Sequence, residues 1–153
     1  MALQDDLNEI LKLDNQFCFV LYALSRKITT QYRPLLDELG LTYPQYLVML
    51  VLWEVLPDPE HPEGVSVKFI GERLLLDSGT LTPLLKRLEA NGLVHRERSR
   101  QDEREVLVRL SLDGIELKEK ARVVPLQLLC NLKVAPDKLI ELRDQLKQLL
   151  SQE

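Results

Sequence analysis

Leu3, Leu7, Ile10, Phe17, Leu21, Leu24 and Ile28 recur at alternating steps of four and three residues, interrupted only by Asp14. That spacing predicts a long amphipathic helix with a narrow apolar stripe, suited to packing on another helix of this or a second subunit. Arg33-Pro34 is expected to open a shorter helix that ends near Gly40. Thr42-Tyr43-Pro44-Gln45 has the form of a capping box, with Thr42 at the N-cap and Gln45 three positions on. The helix behind it, Tyr46 to about Leu56, has no polar position before Glu54 and should be central and buried. Residues 57–64 carry three prolines in six positions, which forbids a helix and predicts an exposed connector.

Ser66 is placed to cap a helix through Ile70, Leu74 and Leu75, and Asp77 to cap a second through Leu81, Leu84, Leu85 and Leu88, closed by Asn91-Gly92. Two short helices about a tight turn form a helix-turn-helix candidate. Leu93–Arg98 and Glu105–Leu110 alternate well enough to be strands around a charged tip, so a β-hairpin directly follows the second helix. This is the order of a winged helix-turn-helix, mainly α with a small β wing. Ser111 should cap a further helix over Ile115 and Leu117, interrupted by Pro125. Pro136 starts another, with Leu139, Leu142, Leu146 and Leu149 at helical spacing.

Composition adds limits. The 153 residues suffice for one domain, are 45% hydrophobic and 29% charged, and are only 5% aromatic, so the core must be aliphatic. The longest apolar run, Tyr46 to Trp53, is far short of the roughly 20 residues of a membrane span, and Met-Ala-Leu-Gln-Asp-Asp has no secretory character. A cytoplasmic protein is the expectation. His61 and His95 stand alone and Cys18 and Cys130 have no zinc-like spacing, so neither a metal nor a cofactor is expected.

The net charge is −4, yet residues 86–109 hold seven cationic side chains (Lys86, Arg87, Arg96, Arg98, Arg100, Arg104 and Arg109) against five carboxylates. The basic charge is local, where a reading helix and wing would meet phosphates. Ser78, Gly79, Thr80, Thr82 and Pro83 put small groups at the start of that helix, within reach of base edges or phosphate, with Lys86 and Arg87 one to two turns on. At the wing tip Arg104 is a candidate for the minor groove, and Asp102 could hold it by a charge-assisted hydrogen bond. Taken singly, each segment is equally a capped helix or a solvated charge run; their adjacency favours DNA.

Asp77-Ser78-Gly79-Thr80-Leu81-Thr82-Pro83-Leu84-Leu85-Lys86-Arg87-Leu88-Glu89, followed by Asn91-Gly92-Leu93-Val94 and Asp102-Glu103-Arg104, resembles the MarR family of winged helix-turn-helix regulators. Leu13-Asp14-Asn15-Gln16-Phe17-Cys18-Phe19 and Leu41–Leu50 narrow the resemblance to the organic-hydroperoxide sensors within it. The proline-rich loop 57–64 departs from that pattern but lies outside the motifs. The resemblance implies a single domain over 1–153, with dimerisation helices at about 3–40 and 112–151 and the winged helix-turn-helix at about 43–111. It further implies a homodimeric repressor, not an enzyme, that binds a palindromic operator when reduced and lets go when Cys18 is oxidised by an organic hydroperoxide. By the same resemblance Tyr32 and Tyr43 contact the Cys18 thiolate, where hydroxyl donors favour the charged form. Cys130 matches the resolving cysteine of a two-cysteine subgroup, whose disulfide joins the subunits. Two alternatives stay open: a regulator released by a non-covalent aromatic ligand, and a thiol peroxidase.

Overall fold

The computed structural model describes residues 9–56 and 63–151. The expectations for Leu3, Leu7, His61 and most of the proline-rich loop therefore lie outside the described residues. The first long helix does not run through Asp14: a 3-10 turn at Leu13–Asn15 breaks it, and α1 begins afresh at Phe17 and continues to Asp37. Pro34 lies inside α1 rather than opening a new helix. Its missing N–H leaves only the Thr30 carbonyl without a ladder partner, one turn from the helix end, so the helix survives it. Gly40 closes the segment at φ 67°, with the Leu41 N–H reaching the Leu36 carbonyl at 3.1 Å.

Helix α2 spans Tyr43–Val55. The Gln45 side-chain oxygen accepts from the Thr42 backbone N–H at 2.8 Å and from its hydroxyl at 3.0 Å, so the capping residues pair as the sequence suggests. Tyr46, Val48, Met49, Val51, Leu52 and Trp53 are all buried, and the rest of the domain is built around them. The Trp53 indole N–H donates to the Gly114 carbonyl at 2.8 Å, and Lys118 Nζ donates to the Trp53 carbonyl at 3.0 Å. These bonds fasten α2 to α5 (Leu112–Ala121), whose N-cap Ser111 accepts from the Gly114 N–H at 3.0 Å.

Between them stands the reading unit. β1 (Val65–Ser66) leads into α3 (Val67–Leu74), capped by the Ser66 hydroxyl; α4 (Ser78–Ala90) follows after a turn in which Leu75 is left-handed at φ 55°. β2 (Val94–Arg98) and β3 (Val106–Leu110) pair antiparallel in the register Val94↔Leu110 to Arg98↔Val106. β1 pairs with the far edge of β3, Val65 opposite Val108, making a three-stranded sheet in the order β1-β3-β2. The sequence pattern did not disclose this strand: two residues are too few to show a period. Val65, Ile70, Leu81, Leu85, Leu88, Val94 and Val108 close its core.

After α5 the chain breaks at Arg122 and resumes as α6 (Val123–Leu132). Pro125 accounts for the position: its ring excludes a helical carbonyl four residues earlier, at Ala121. α6 packs back on α1. α7 (Pro136–Leu150) has no buried residue, and Ile140, Leu142, Leu149 and Leu150 are exposed.

Gly114 marks the tightest approach between the two halves. A Cβ there would lie 2.1 Å from the Leu93 carbonyl oxygen, a backbone atom that cannot turn aside. Gly114→Ala should cost about 3 kcal/mol, the upper range for overpacking a rigid contact, read from the urea midpoint. An unchanged midpoint would mean that α5 can slide off the sheet freely.

Candidate nucleic-acid interface and cysteine site

The reading helix is fixed at its N-terminus by Asp77. Its carboxylate accepts from the Thr80 N–H at 2.9 Å and the Thr80 hydroxyl at 2.7 Å, and those bonds hold the Asp77 carboxyl below its ordinary value. The Thr82 hydroxyl donates back to the Ser78 carbonyl at 2.7 Å. The Thr80 and Thr82 hydroxyls therefore have their protons engaged and keep only acceptor capacity. Gly79 leaves room for the cap, since a Cβ there would lie 2.9 Å from Asp77 Oδ1. Ser78, Gly79, Thr80, Pro83, Lys86 and Arg87 are exposed and Thr82 is half-buried. Gly79, Pro83, Lys86 and Arg87 share one face by their spacing.

The wing tip is a tight turn. The Ser99 N–H donates to the Glu105 carbonyl at 2.9 Å, and the buried Ser99 hydroxyl accepts from the N–H groups of Gln101 and Asp102 at 3.2 and 3.3 Å. Asp102 does not hold the Arg104 guanidinium, as its charge suggested. Its carboxylate accepts the Arg104 backbone N–H at 2.9 Å, an Asx turn that leaves the guanidinium unpaired. Of the seven cationic groups in the segment, Arg96 is taken by Glu89 and Arg109 by Glu97. Among the described residues Lys86, Arg87, Arg98, Arg100 and Arg104 have no carboxylate partner. Two of the segment's five carboxylates, Glu89 and Glu97, are thus paired within it, and the cations without a carboxylate partner lie on the helix and the wing. A groove of about 680 Å³ separates α4 from the wing, with Ser78, Thr82, Arg96, Asp102 and Arg104 on its walls.

The cysteine site is divided. Cys18 sits in the first turn of α1, free and exposed, and Cys130 near the end of α6 is likewise free and exposed. Around Cys18 the apolar surface is uncovered: Phe17 is 59% and Val20 53% exposed. Tyr32 and Tyr43 stack with ring centroids 4.8 Å apart, and Tyr46 lies 5.8 Å from Tyr32. Burial and the two neighbouring phenols push Tyr32 up to about 12, and burial raises Tyr43. Both hydroxyls therefore remain protonated donors at neutral pH. Fourteen residues separate Cys18 from Tyr32 along one helix, about 21 Å of rise, so the chain does not bring them together by itself. They do lie within about 40° of the same helix face, at 3.6 residues per turn. Beside Tyr43 a cleft of about 600 Å³ is bordered by Ser25, Arg26, Thr29 and Arg33. Among the described residues no group of three His, Cys, Asp or Glu side chains is arranged to hold a metal ion, and no helix is long and apolar enough to cross a membrane.

A capped reading helix, the turn before it and a cationic wing define a winged helix-turn-helix DNA-binding regulator. The profile of the transcriptional regulator SarA/Rot matches residues 30–121. The organic hydroperoxide resistance transcriptional regulator of Bacillus subtilis is 52% identical over 92% of this chain and 90% of its own length. AbfR of Staphylococcus epidermidis, at 36% identity, superposes in its reduced form bound to DNA with a TM-score of 0.73, over 94% of this chain and 95% of that one. Its disulfide form superposes at 0.60, over 97% and 99%. The chain belongs to the MarR-type family of winged helix-turn-helix transcriptional regulators, in the branch that holds SarA/Rot and the organic hydroperoxide resistance regulator.

The raised Tyr32 has a measurable sign. Its neutral form contributes stability in full below pH 10, its ordinary value, and that contribution is lost as pH rises through about 12. Tyr32→Phe should flatten the fall in stability between these values, followed by denaturation at each pH. An equally steep fall in the variant would place the alkaline sensitivity elsewhere.

Proposed function

We propose that this chain is a homodimeric repressor that binds a palindromic operator when Cys18 is reduced and is released when an organic hydroperoxide oxidises it. The observation that carries the reading is the pairing, in one chain, of a DNA-reading surface with an exposed thiol set in an uncovered apolar helix face. Apolar side chains around Cys18 suit an organic rather than an inorganic peroxide. The uncovered faces of α1 and α7 exceed the scattered apolar exposure of a monomer and call for a second subunit. The dimerisation helices are then residues up to about 40 and from about 112 onward, with the reading unit, about 43–111, between them.

The dimer also resolves the divided cysteine site. If the two copies of α1 run antiparallel about a two-fold axis near Ser25, Cys18 of one protomer falls beside Tyr32 of the other. The stacked Tyr32–Tyr43 pair then supplies two protonated hydroxyls to the sulfur. Attack of the thiolate on the peroxide gives a sulfenic acid and an alcohol, and the Cys130 thiol of the second chain displaces water to form the disulfide. The chemistry is stoichiometric signalling rather than turnover, in the cytoplasm where the operator lies. The better match to reduced, DNA-bound AbfR than to its disulfide form supports reading the described conformation as the DNA-competent one.

Three variants test this. Cys18→Ser should bind operator as the wild type does and stay bound after cumene hydroperoxide, because a hydroxyl is a poor nucleophile at neutral pH; normal release would remove Cys18 as the sensor and favour a non-covalent ligand in the cleft beside Tyr43. Cys130→Ser should run as a monomer on non-reducing gels where oxidised wild type runs as a covalent dimer, and mapping the bond inside one chain would overturn the inter-subunit pairing. Arg104→Ala should weaken operator binding by about 1–3 kcal/mol per half-site and lower its salt slope; equal affinity across a salt series would mean that the wing does not touch DNA.

A further inference from the structure

Glu89 is in the last turn of α4, where the helix dipole disfavours a negative charge, and it lies close to a surface that must meet phosphates. On both counts a neutral residue would suit the position better. Its surroundings explain what offsets this. The Arg96 backbone N–H donates to Glu89 Oε1 at 3.1 Å, and the guanidinium donates to Oε2 through Nε at 2.8 Å and Nη2 at 2.5 Å. These bonds hold the Glu89 carboxyl below its ordinary value. Among the described residues it is the only ion pair that joins the reading helix to the wing. Its side chains are only 35% and 23% exposed, less than those of the other pairs.

Arg96 stands opposite Val108 on the face of the sheet that packs toward α4, and it lines the groove between helix and wing whose other walls carry Ser78, Thr82, Asp102 and Arg104. The only covalent link between the two parts is Asn91–Leu93, which includes a glycine at φ 74°. β1 and the buried Val94 and Val108 hold the base of the sheet, so what is left to be set is the aim of the hairpin beyond Arg96, toward its tip.

We infer that Glu89 and Arg96 are positioning residues that set the angle of the wing against the reading helix, so that Arg104 and the Ser78–Arg87 face reach DNA together. The inference rests on the DNA-binding reading above, and the test separates the two. Glu89→Gln keeps shape and volume while removing one charge. Simple electrostatics expects tighter binding from it, because a negative charge is lost and Arg96 is freed. A positioning role expects the opposite: about tenfold weaker binding to a duplex selected by the wild type from a random-sequence pool, and a smaller salt slope. In an Arg104→Ala background the same change should have almost no effect, since the wing contact it serves is already gone. The charge reversal Glu89→Arg with Arg96→Glu should restore part of the lost affinity. Unchanged or tighter binding by Glu89→Gln, or an equal loss in both backgrounds, would overturn the positioning role. Failure of the wild type to select any duplex would overturn the DNA reading instead.

Discussion

The elements packed around α2 are placed by the need to bury it. A helix whose Tyr46, Val48, Met49, Val51, Leu52 and Trp53 are all apolar and inaccessible must be wrapped by neighbours over most of its surface, and only a strip with Leu50 and Glu54 is left exposed. α1 with Leu36 and Tyr32, α4 with Leu81, Leu85 and Leu88, the sheet with Val94 and Val108, and α5–α6 with Ala121 and Val124 supply that wrapping. The Trp53 indole and Lys118 tie α2 to α5 by two hydrogen bonds from opposite directions. The scaffold that carries the cysteines and the unit that reads DNA therefore share a single core. α6 packs on α1 and α1 packs on α2, so a displacement of α1 would pass into that core, and close-packed interiors transmit such strain rather than absorb it.

Signals confined to a few adjacent residues were the readable part of this fold. Thr42 with Gln45, Ser66, Asp77 and Ser111 each announce a helix start, and each acts there. The buried character of α2, the hairpin, and the proline at the head of α7 were equally plain. The misjudged places involve competition between local signals. A 3-4 spacing continued through Asp14, but three residues of tighter turn break the ladder. Pro34 looked like a helix start because Arg-Pro often is one; packing of Tyr32, Leu35 and Leu36 on α2 keeps the helix going past it. β1 is visible only once β3 lies beside it.

The same division runs through the site. Residue types and order gave the reading helix and wing, but not which charges are free. Glu89 lies on a helix and Arg96 on the strand after it, so no single period relates them and their pairing emerges only in three dimensions. Asp102 does bond to Arg104, but at another atom than expected, since the sequence cannot distinguish a guanidinium from the backbone N–H of the same residue. Cys18 and Tyr32 share a helix and a face, yet the rise between them prevents contact within one chain. In the proposed dimer their relation is a property of two chains.

The bare apolar flank of α7 carries one further meaning. A segment that contributes nothing to its own chain's interior draws its order from association, so folding and pairing become one equilibrium governed by the amount of protein present. Copy number then enters as a variable beside redox state. At low abundance the population shifts toward lone chains, which hold only one reading head each and cannot span two half-sites about 34 Å apart. Occupancy of a two-half-site target would rise with roughly the square of chain concentration in that regime. A gene under such control would respond sharply to dilution of its repressor during growth, with no oxidant involved.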